Sequence, residues 1–184
     1  MYEVELKVEA DADGVRERLV ELDAKPCGTV RQEDTYYDAP DRDFAETDEA
    51  LRVRTESADG NTSTALTYKG PLVDAVSKTR EEAETDVGDP EAVRNILSGL
   101  GYEPAATVSK RRERYLVDGC TVTVDDVNGL GEFVEVELET DGDIDAARER
   151  VATVLERLGL DPDDGIRTSY LGLLLAADGQ QTEL

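Results

Sequence analysis

The residues of this chain that could do chemistry are charged, and they recur at every second position. Glu3-Val4-Glu5-Leu6-Lys7 runs acid, apolar, acid, apolar, base. The same spacing joins Arg52 to Arg54, Lys110 to Arg112 and Arg114, and Glu135 to Glu137 and Glu139. It also joins Lys78 to Arg80, Glu82 and Glu84, while Lys69 and Asp125 occupy the corresponding face of their own segments. A period of two is a β-strand with one apolar and one polar side. Brought together, these faces set rows of Lys and Arg beside rows of carboxylates. Arg grips phosphate oxygens through a planar fork, and Lys acts as a point charge. Carboxylates do not bind phosphate directly. They can hold Mg²⁺ or Mn²⁺, hard cations that take oxygen ligands and bridge to phosphate. The residue types are those of a polyphosphate site.

The lysines sharpen this reading. There are five in 184 residues, and all but Lys25 lie on these faces. The chain carries 44 acidic against 20 basic residues, a net charge of −24, with no histidine. Such an acidic surface suits strong salt, as in a halophilic archaeon, because salt screens its self-repulsion. Lysine kept at period two in so acidic a chain implies a place that needs positive charge. The competing reading is an open sheet with one solvated face, its charges paired across strands for about 0.2–1 kcal/mol each. Clusters of this kind favour functional clefts, which supports the site.

Other chemistries lack support. Without histidine, and with no Cys or Ser in a nucleophile motif, covalent catalysis has no candidate. Gly129-Leu130-Gly131 is too short for a phosphate-binding loop of the Walker kind, and Lys69-Gly70-Pro71 has the wrong order. The negative charge disfavours nucleic acid and anionic membrane as partners. Tyr170 to Ala177, the longest apolar stretch, is too short to span a bilayer. Cys27 and Cys120 share no motif and read as reduced thiols. A strand beginning beside Met1 leaves no room for a signal peptide, so a cytoplasmic protein is expected.

The elements that must position these residues follow from periodicity and turn chemistry. Strands are predicted over Tyr2–Glu9, Ala50–Thr55, Thr64–Lys69, Val76–Glu84, Lys110–Val117, Thr121–Asp125 and Phe133–Glu139, with a shorter one near Thr29–Tyr36. Asp11, Asp89 (followed by Pro90) and Asp143 cap three helices. Their inward residues are predicted as Val15, Leu19 and Leu22; Val93, Ile96, Leu97 and Leu100; and Ala147, Val151, Leu155 and Leu158. A last helix is predicted from about Thr168 to Ala176. The segment from Val4 resembles that from Val136: Glu-x-Glu, an Asp cap, then Arg-Glu-Arg in the helix. No linker divides residues 1–184, so a single domain is expected. The fold class is α+β, with eight antiparallel strands closed into a barrel, charged faces inward and helices packed outside.

The ordered motifs resemble the CYTH family, the triphosphate tunnel metalloenzymes. The resemblance rests on Glu3-x-Glu5-x-Lys7, QEDTYYDAPD (Gln32–Asp41), ALRVR (Ala50–Arg54), TYKGP (Thr67–Pro71), KTREEAE (Lys78–Glu84), KRRERY (Lys110–Tyr115), VDDVNGLGEFVEVE (Val124–Glu137) and SYLGLLL (Ser169–Leu175). It implies an eight-stranded tunnel in which Lys7, Arg52, Arg54, Lys69, Lys110 and Arg112 bind triphosphate. It implies Glu5, Glu135 and Glu137 as metal ligands, with Glu3 and Asp125 assisting, and Mg²⁺ or Mn²⁺ as cofactor. TYKGP, GLGEFVEVE and SYLGLLL look most like the class IV adenylyl cyclases, which convert ATP to cyclic AMP and pyrophosphate. One departure is Gly172, where that branch often carries glutamate. Other branches hydrolyse inorganic tripolyphosphate or thiamine triphosphate. A non-catalytic polyphosphate or nucleotide sensor is the reading from a different class; it would not need Glu135 and Glu137 together. Cyclase relatives further imply a homodimer.

Overall fold

The computed structural model describes residues 2–72 and 78–181. Its eight strands are β1 (Tyr2–Glu9), β2 (Lys25–Asp38), β3 (Ala50–Ala58), β4 (Asn61–Leu72), β5 (Lys78–Asp86), β6 (Glu103–Val117), β7 (Cys120–Val127) and β8 (Gly131–Thr140). They close into an antiparallel barrel in the order β1-β5-β4-β3-β2-β6-β7-β8, with β8 returning to β1. Closure removes the unpaired edges that an open sheet would present. The chain thus forms two meanders, β2 to β5 and β6 to β8. The long β2–β6 ladder joins them on one side and β1 bridges them on the other.

The helices lie outside the barrel. They are α1 (Ala12–Glu21), α2 (Phe44–Thr47), α3 (Pro90–Gly99), α4 (Ile144–Arg157) and α5 (Tyr170–Gln181). Asp11, Asp89 and Asp143 cap α1, α3 and α4 as the sequence predicts, each side chain accepting a backbone N–H of the first turn. The main core lies between the outer face of β1, β7 and β8 and the helices α1 and α4. Val4, Val8, Val122, Val124, Val134 and Val136 meet Val15, Leu19, Val151, Leu155 and Leu158 there. Because strand side chains alternate, burying the valines outward turns their charged neighbours into the lumen.

Some boundaries differ from expectation. β2 and β6 are longer than predicted because each extends by pairing with the other. Tyr36 lies opposite Ala106 and Asp38 opposite Glu103, a tertiary ladder that the small and polar residues of Glu103–Thr107 do not announce. The last helix starts two residues later than Thr168 and runs to Gln181. On α3 only Leu97 is buried, and Ile96 and Leu100 are exposed, contrary to the four-residue apolar face predicted. The helix α2 was not predicted. Of the strand expected over Val76–Glu84, Val76 and Ser77 lie outside the described residues.

At one end of the barrel the inward face itself turns apolar. Tyr36, Val108, Val127 and Phe133 pack there with Tyr170 of α5. The Phe133 and Tyr170 rings meet edge to face at 5.1 Å.

Candidate functional site

The lumen holds a cavity of ≈ 240 Å³. Among the described residues, its walls carry Lys7, Arg52, Arg54, Lys69, Arg80, Lys110, Arg112 and Arg114 against Glu3, Glu5, Glu82, Glu84, Glu135, Glu137 and Glu139. Eight of the chain's 20 basic residues therefore line one cavity, with only seven of its 44 acidic ones. The overall negative charge is locally reversed.

Register explains how the charges are grouped. Between β2 and β3, Arg54 stands opposite Asp34. Arg54 Nε donates to Asp34 Oδ1 and Nη2 donates to Oδ2, both at 2.6 Å. Between β6 and β7, Arg112 stands opposite Asp125. Arg112 Nε donates to Asp125 Oδ1 at 2.7 Å and Nη2 to Oδ2 at 2.5 Å. Lys110 Nζ and Tyr170 Oη also donate to Asp125 Oδ2, each at 3.0 Å. Asp125 is fully buried among these donors, and it does not line the cavity. Its hydrogen-bond donors are two cations and a hydroxyl, an arrangement that holds Lys110 and Arg112 in place.

The wall made by β1 and β8 is different. Glu3 stands opposite Glu139 and Glu5 opposite Glu137; only the third pair, Lys7 with Glu135, has opposite signs. Glu5 and Glu137 are also equivalent positions of the repeated segments. The repeat thus sets one glutamate against its counterpart across an antiparallel ladder. Like charges directly opposite are destabilising unless a cation lies near. Glu3 finds one in Lys69, whose Nζ donates to Glu3 Oε2 at 2.5 Å and lies 2.6 Å from Glu82. Glu135 accepts from Arg112. Burial pushes the Glu137 carboxyl up to about 7; Arg112 opposes this, and the charges of Glu3, Glu135 and Glu5 add to it.

Several cations are also displaced from their ordinary acidity. Burial and the neighbouring Arg112 lower Lys110 to about 8, against the pull of Asp125 and Glu135. Burial works against the charge of Lys69, but Glu3, Glu82 and Glu5 outweigh it and raise its pKa, even with Arg52 opposing. Lys7 is almost fully buried; its Nζ donates to the Thr168 carbonyl at 2.6 Å and lies 4.4 Å from the Tyr170 ring centre.

Of the residues singled out from sequence, the cavity gathers Glu3, Glu5, Lys7, Arg52, Arg54, Lys69, Arg80, Glu82, Glu84, Lys110, Arg112, Glu135 and Glu137. Arg80 is nearly buried and reaches the Asp48 carbonyl at 2.7 Å. Lys78 pairs in register with Glu5, but its side chain lies outside the described residues. Sequence reasoning missed Asp34, Tyr36 and Tyr170. The alternation Gln32, Asp34, Tyr36 carried the signal for the first two. Tyr170, which opens α5, carried none. A Cβ at Gly172 would lie 2.8 Å from the Thr168 methyl, so the start of α5 is packed for glycine.

The donors on the acidic wall are hard oxygens, and Glu137 is short of positive charge. Both features fit a hard divalent cation. Among the described residues no three carboxylates are gathered around one point. Glu135 is engaged by Arg112, so holding a cation would require these side chains to turn.

The sequence profile of the CYTH domain matches residues 1–170. The chain belongs to the CYTH family. It is 43% identical over 176 residues to a Methanocaldococcus jannaschii protein provisionally named an adenylate cyclase, covering 94% of this chain and 98% of that one. It is 31% identical over 163 residues to adenylate cyclase CyaB of Aeromonas hydrophila, covering 86% and 81%. The solved structure of the PH1819 protein from Pyrococcus horikoshii superposes with a TM-score of 0.87 at 40% identity, over 95% of this chain and 98% of that one. A closed eight-stranded tunnel is thus the family's fold in this CYTH protein. No helix among the described residues is long and apolar enough to cross a membrane.

Proposed function

We propose that this CYTH protein is a metal-dependent enzyme acting on a triphosphate inside its barrel, of the class IV adenylate cyclase kind. The observation that carries the proposal is the local reversal of charge: eight cations converge on one cavity of a chain with net charge −24. Adenylate cyclase is the name carried by the relative at 31% identity and, provisionally, by the one at 43%.

In this reading Lys7, Arg52, Arg54, Lys69, Lys110 and Arg112 hold the triphosphate. Glu5, Glu135 and Glu137 hold Mg²⁺ or Mn²⁺, with Glu3 beside them. When bound, the cation withdraws charge from the phosphate oxygens and relieves the repulsion within the glutamate pair. The cation row fixes the phosphates in line and offsets the negative charge that builds during displacement. For ATP, the ribose 3′-oxygen forms a bond to the α-phosphorus and loses its proton. The bond from that phosphorus to its bridging oxygen breaks, and pyrophosphate leaves. Asp125 acts in this scheme as a brace for Lys110 and Arg112.

A second reading is hydrolysis of tripolyphosphate or thiamine triphosphate. Of these, inorganic tripolyphosphate, which carries no ring, is favoured by the cavity lining, where Tyr36, Ala50 and Tyr170 alone among the described residues offer apolar surface to a base or ring. The test is a product assay in high KCl with Mg²⁺ or Mn²⁺, giving the protein ATP or inorganic tripolyphosphate and separating the products by chromatography. Cyclic AMP with pyrophosphate is the expected outcome. Phosphate from tripolyphosphate with ATP intact would make the enzyme a triphosphatase. Turnover of neither by folded protein would leave a binding module.

A further inference from the structure

Asp34 is 1% exposed and stands behind the cationic wall, outside the cavity lining. Both of its oxygens are held by the Arg54 fork at 2.6 Å. Arg52, two residues along β3 and on the same inward face, brings Nη1 to 3.7 Å from Asp34 Oδ2. That is close enough for strong attraction and too far for a direct hydrogen bond. The two arginines are therefore held unequally. Arg54 has its Nε and one Nη turned toward the aspartate. Arg52 has its Nε buried with no hydrogen-bond partner. A buried guanidinium N–H without a partner is costly, and in a cavity lined by cations an anionic oxygen is the ligand that would satisfy it.

We infer that Asp34 is a positioning residue: it locks Arg54 and, by attraction across 3.7 Å, keeps Arg52 at the cavity wall, where its incompletely hydrogen-bonded guanidinium is set to take a phosphate oxygen. This inference rests on the triphosphate reading of the cavity and assigns unequal roles to two arginines within it. Burial works against ionisation of Asp34, but the Arg54 hydrogen bonds and the charges of Arg52, Arg54 and Lys110 hold its carboxyl well below the ordinary range. Asp34 is thus a fixed anion behind an anion site. If it acted by charge alone, it would repel phosphate, and removing its charge would tighten binding. A positioning role gives the opposite sign.

The experiment is calorimetric titration of inorganic tripolyphosphate into wild type and Asp34→Asn at one salt concentration, with circular dichroism confirming that both are folded. The near-isosteric variant keeps the shape and loses the charge. Wild type is expected to bind, and the variant to bind about tenfold more weakly. Equal or tighter binding by folded variant, beside a binding wild type, overturns the role of Asp34 and leaves the cavity reading standing. A wild type that does not bind tripolyphosphate overturns the cavity reading, and the role of Asp34 falls with it. Should Asp34→Asn not fold, Arg54→Met is compared with the double variant Asp34→Asn/Arg54→Met, which leaves no buried Asp34 charge unpaired. The double variant is expected to bind about fivefold more weakly than Arg54→Met, and equal affinity would overturn the proposal.

Discussion

The two walls of the barrel lumen treat charge in opposite ways. On the cationic wall the ladders set unlike charges together: Arg54 opposite Asp34, and Arg112 opposite Asp125. On the acidic wall they set like charges together: Glu3 opposite Glu139, and Glu5 opposite Glu137. On the cationic side Arg54, Lys110 and Arg112 are braced by buried aspartates, which would lower the reorganisation that binding an anion requires. The acidic side is unbalanced, and a cation would relieve it. Under the proposed function, the difference means that the anion subsite would be prebuilt, whereas the cation subsite would be completed by its ligand.

The two walls can be broken separately. Glu137→Ala should have the largest effect on turnover. It removes a carboxylate that would hold the cation and leaves every cation of the cavity in place, so kcat is expected to fall about 100- to 1,000-fold while tripolyphosphate affinity changes little. Turnover that persists unchanged would remove Glu137 from the metal set. Lys69→Glu strikes the other wall. It should weaken tripolyphosphate binding about 100-fold in calorimetry. Lys25→Glu, an exposed lysine outside the alternating pattern, should change binding by less than about twofold at the same salt. Equal effects of the two lysine variants would show that total charge, and not the inward face, governs binding.

How far these walls could be read from the sequence depended on whether local periodicity alone placed a residue. The inward alternation of Glu3, Glu5 and Lys7, or of Lys110 and Arg112, is a property of one strand and was fully legible. The apolar outer face was legible on β1, β7 and β8, where valines alternate with the charges. The caps at Asp11, Asp89 and Asp143 were legible because capping is local. What escaped depended on pairing between distant segments. Asp125 takes its metal-assisting role only from the family resemblance, and its pairing with Arg112 and Lys110 comes from the β6–β7 register, which no local pattern announces. Asp34 lies within Gln32–Asp41, a stretch that carries the family resemblance without a role for Asp34, and only the β2–β3 register brings it to Arg54. Tyr170 begins an apolar helix, and only the docking of α5 over the barrel end brings its hydroxyl to Asp125.

The smallest expected effect compares a braced glutamate with an unbraced one. Glu49, outside the cavity lining, accepts from Arg42 Nε and Nη2 at 3.0 Å, from Thr47 at 2.6 Å, and from Tyr68. Those donors, Arg42 foremost, lower its carboxyl from 4.5 to about 2. A lowered folded-state pKa gives stability that is present above 4.5 and is lost as pH falls toward about 2. Glu137 moves the other way, from 4.5 to about 7, chiefly through burial. Its contribution is present below 4.5 and is lost as pH rises through about 7 in protein freed of divalent cations by a chelator. Thermal melts of Glu49→Gln should therefore show a shallower loss of Tm on the acid side. Glu137→Gln melts with chelator should show a shallower loss on the neutral side. Each shift is expected to be about 2–4 °C, the size of roughly 1 kcal/mol in a protein of this length. Adding Mg²⁺ should erase the difference between wild type and Glu137→Gln on the neutral side, because the cation supplies the charge that the amide had made unnecessary. A Glu137→Gln profile parallel to wild type throughout, with chelator present, would mean that the glutamate pair is already neutralised by the protein's own cations. The contrast between the two walls would then disappear.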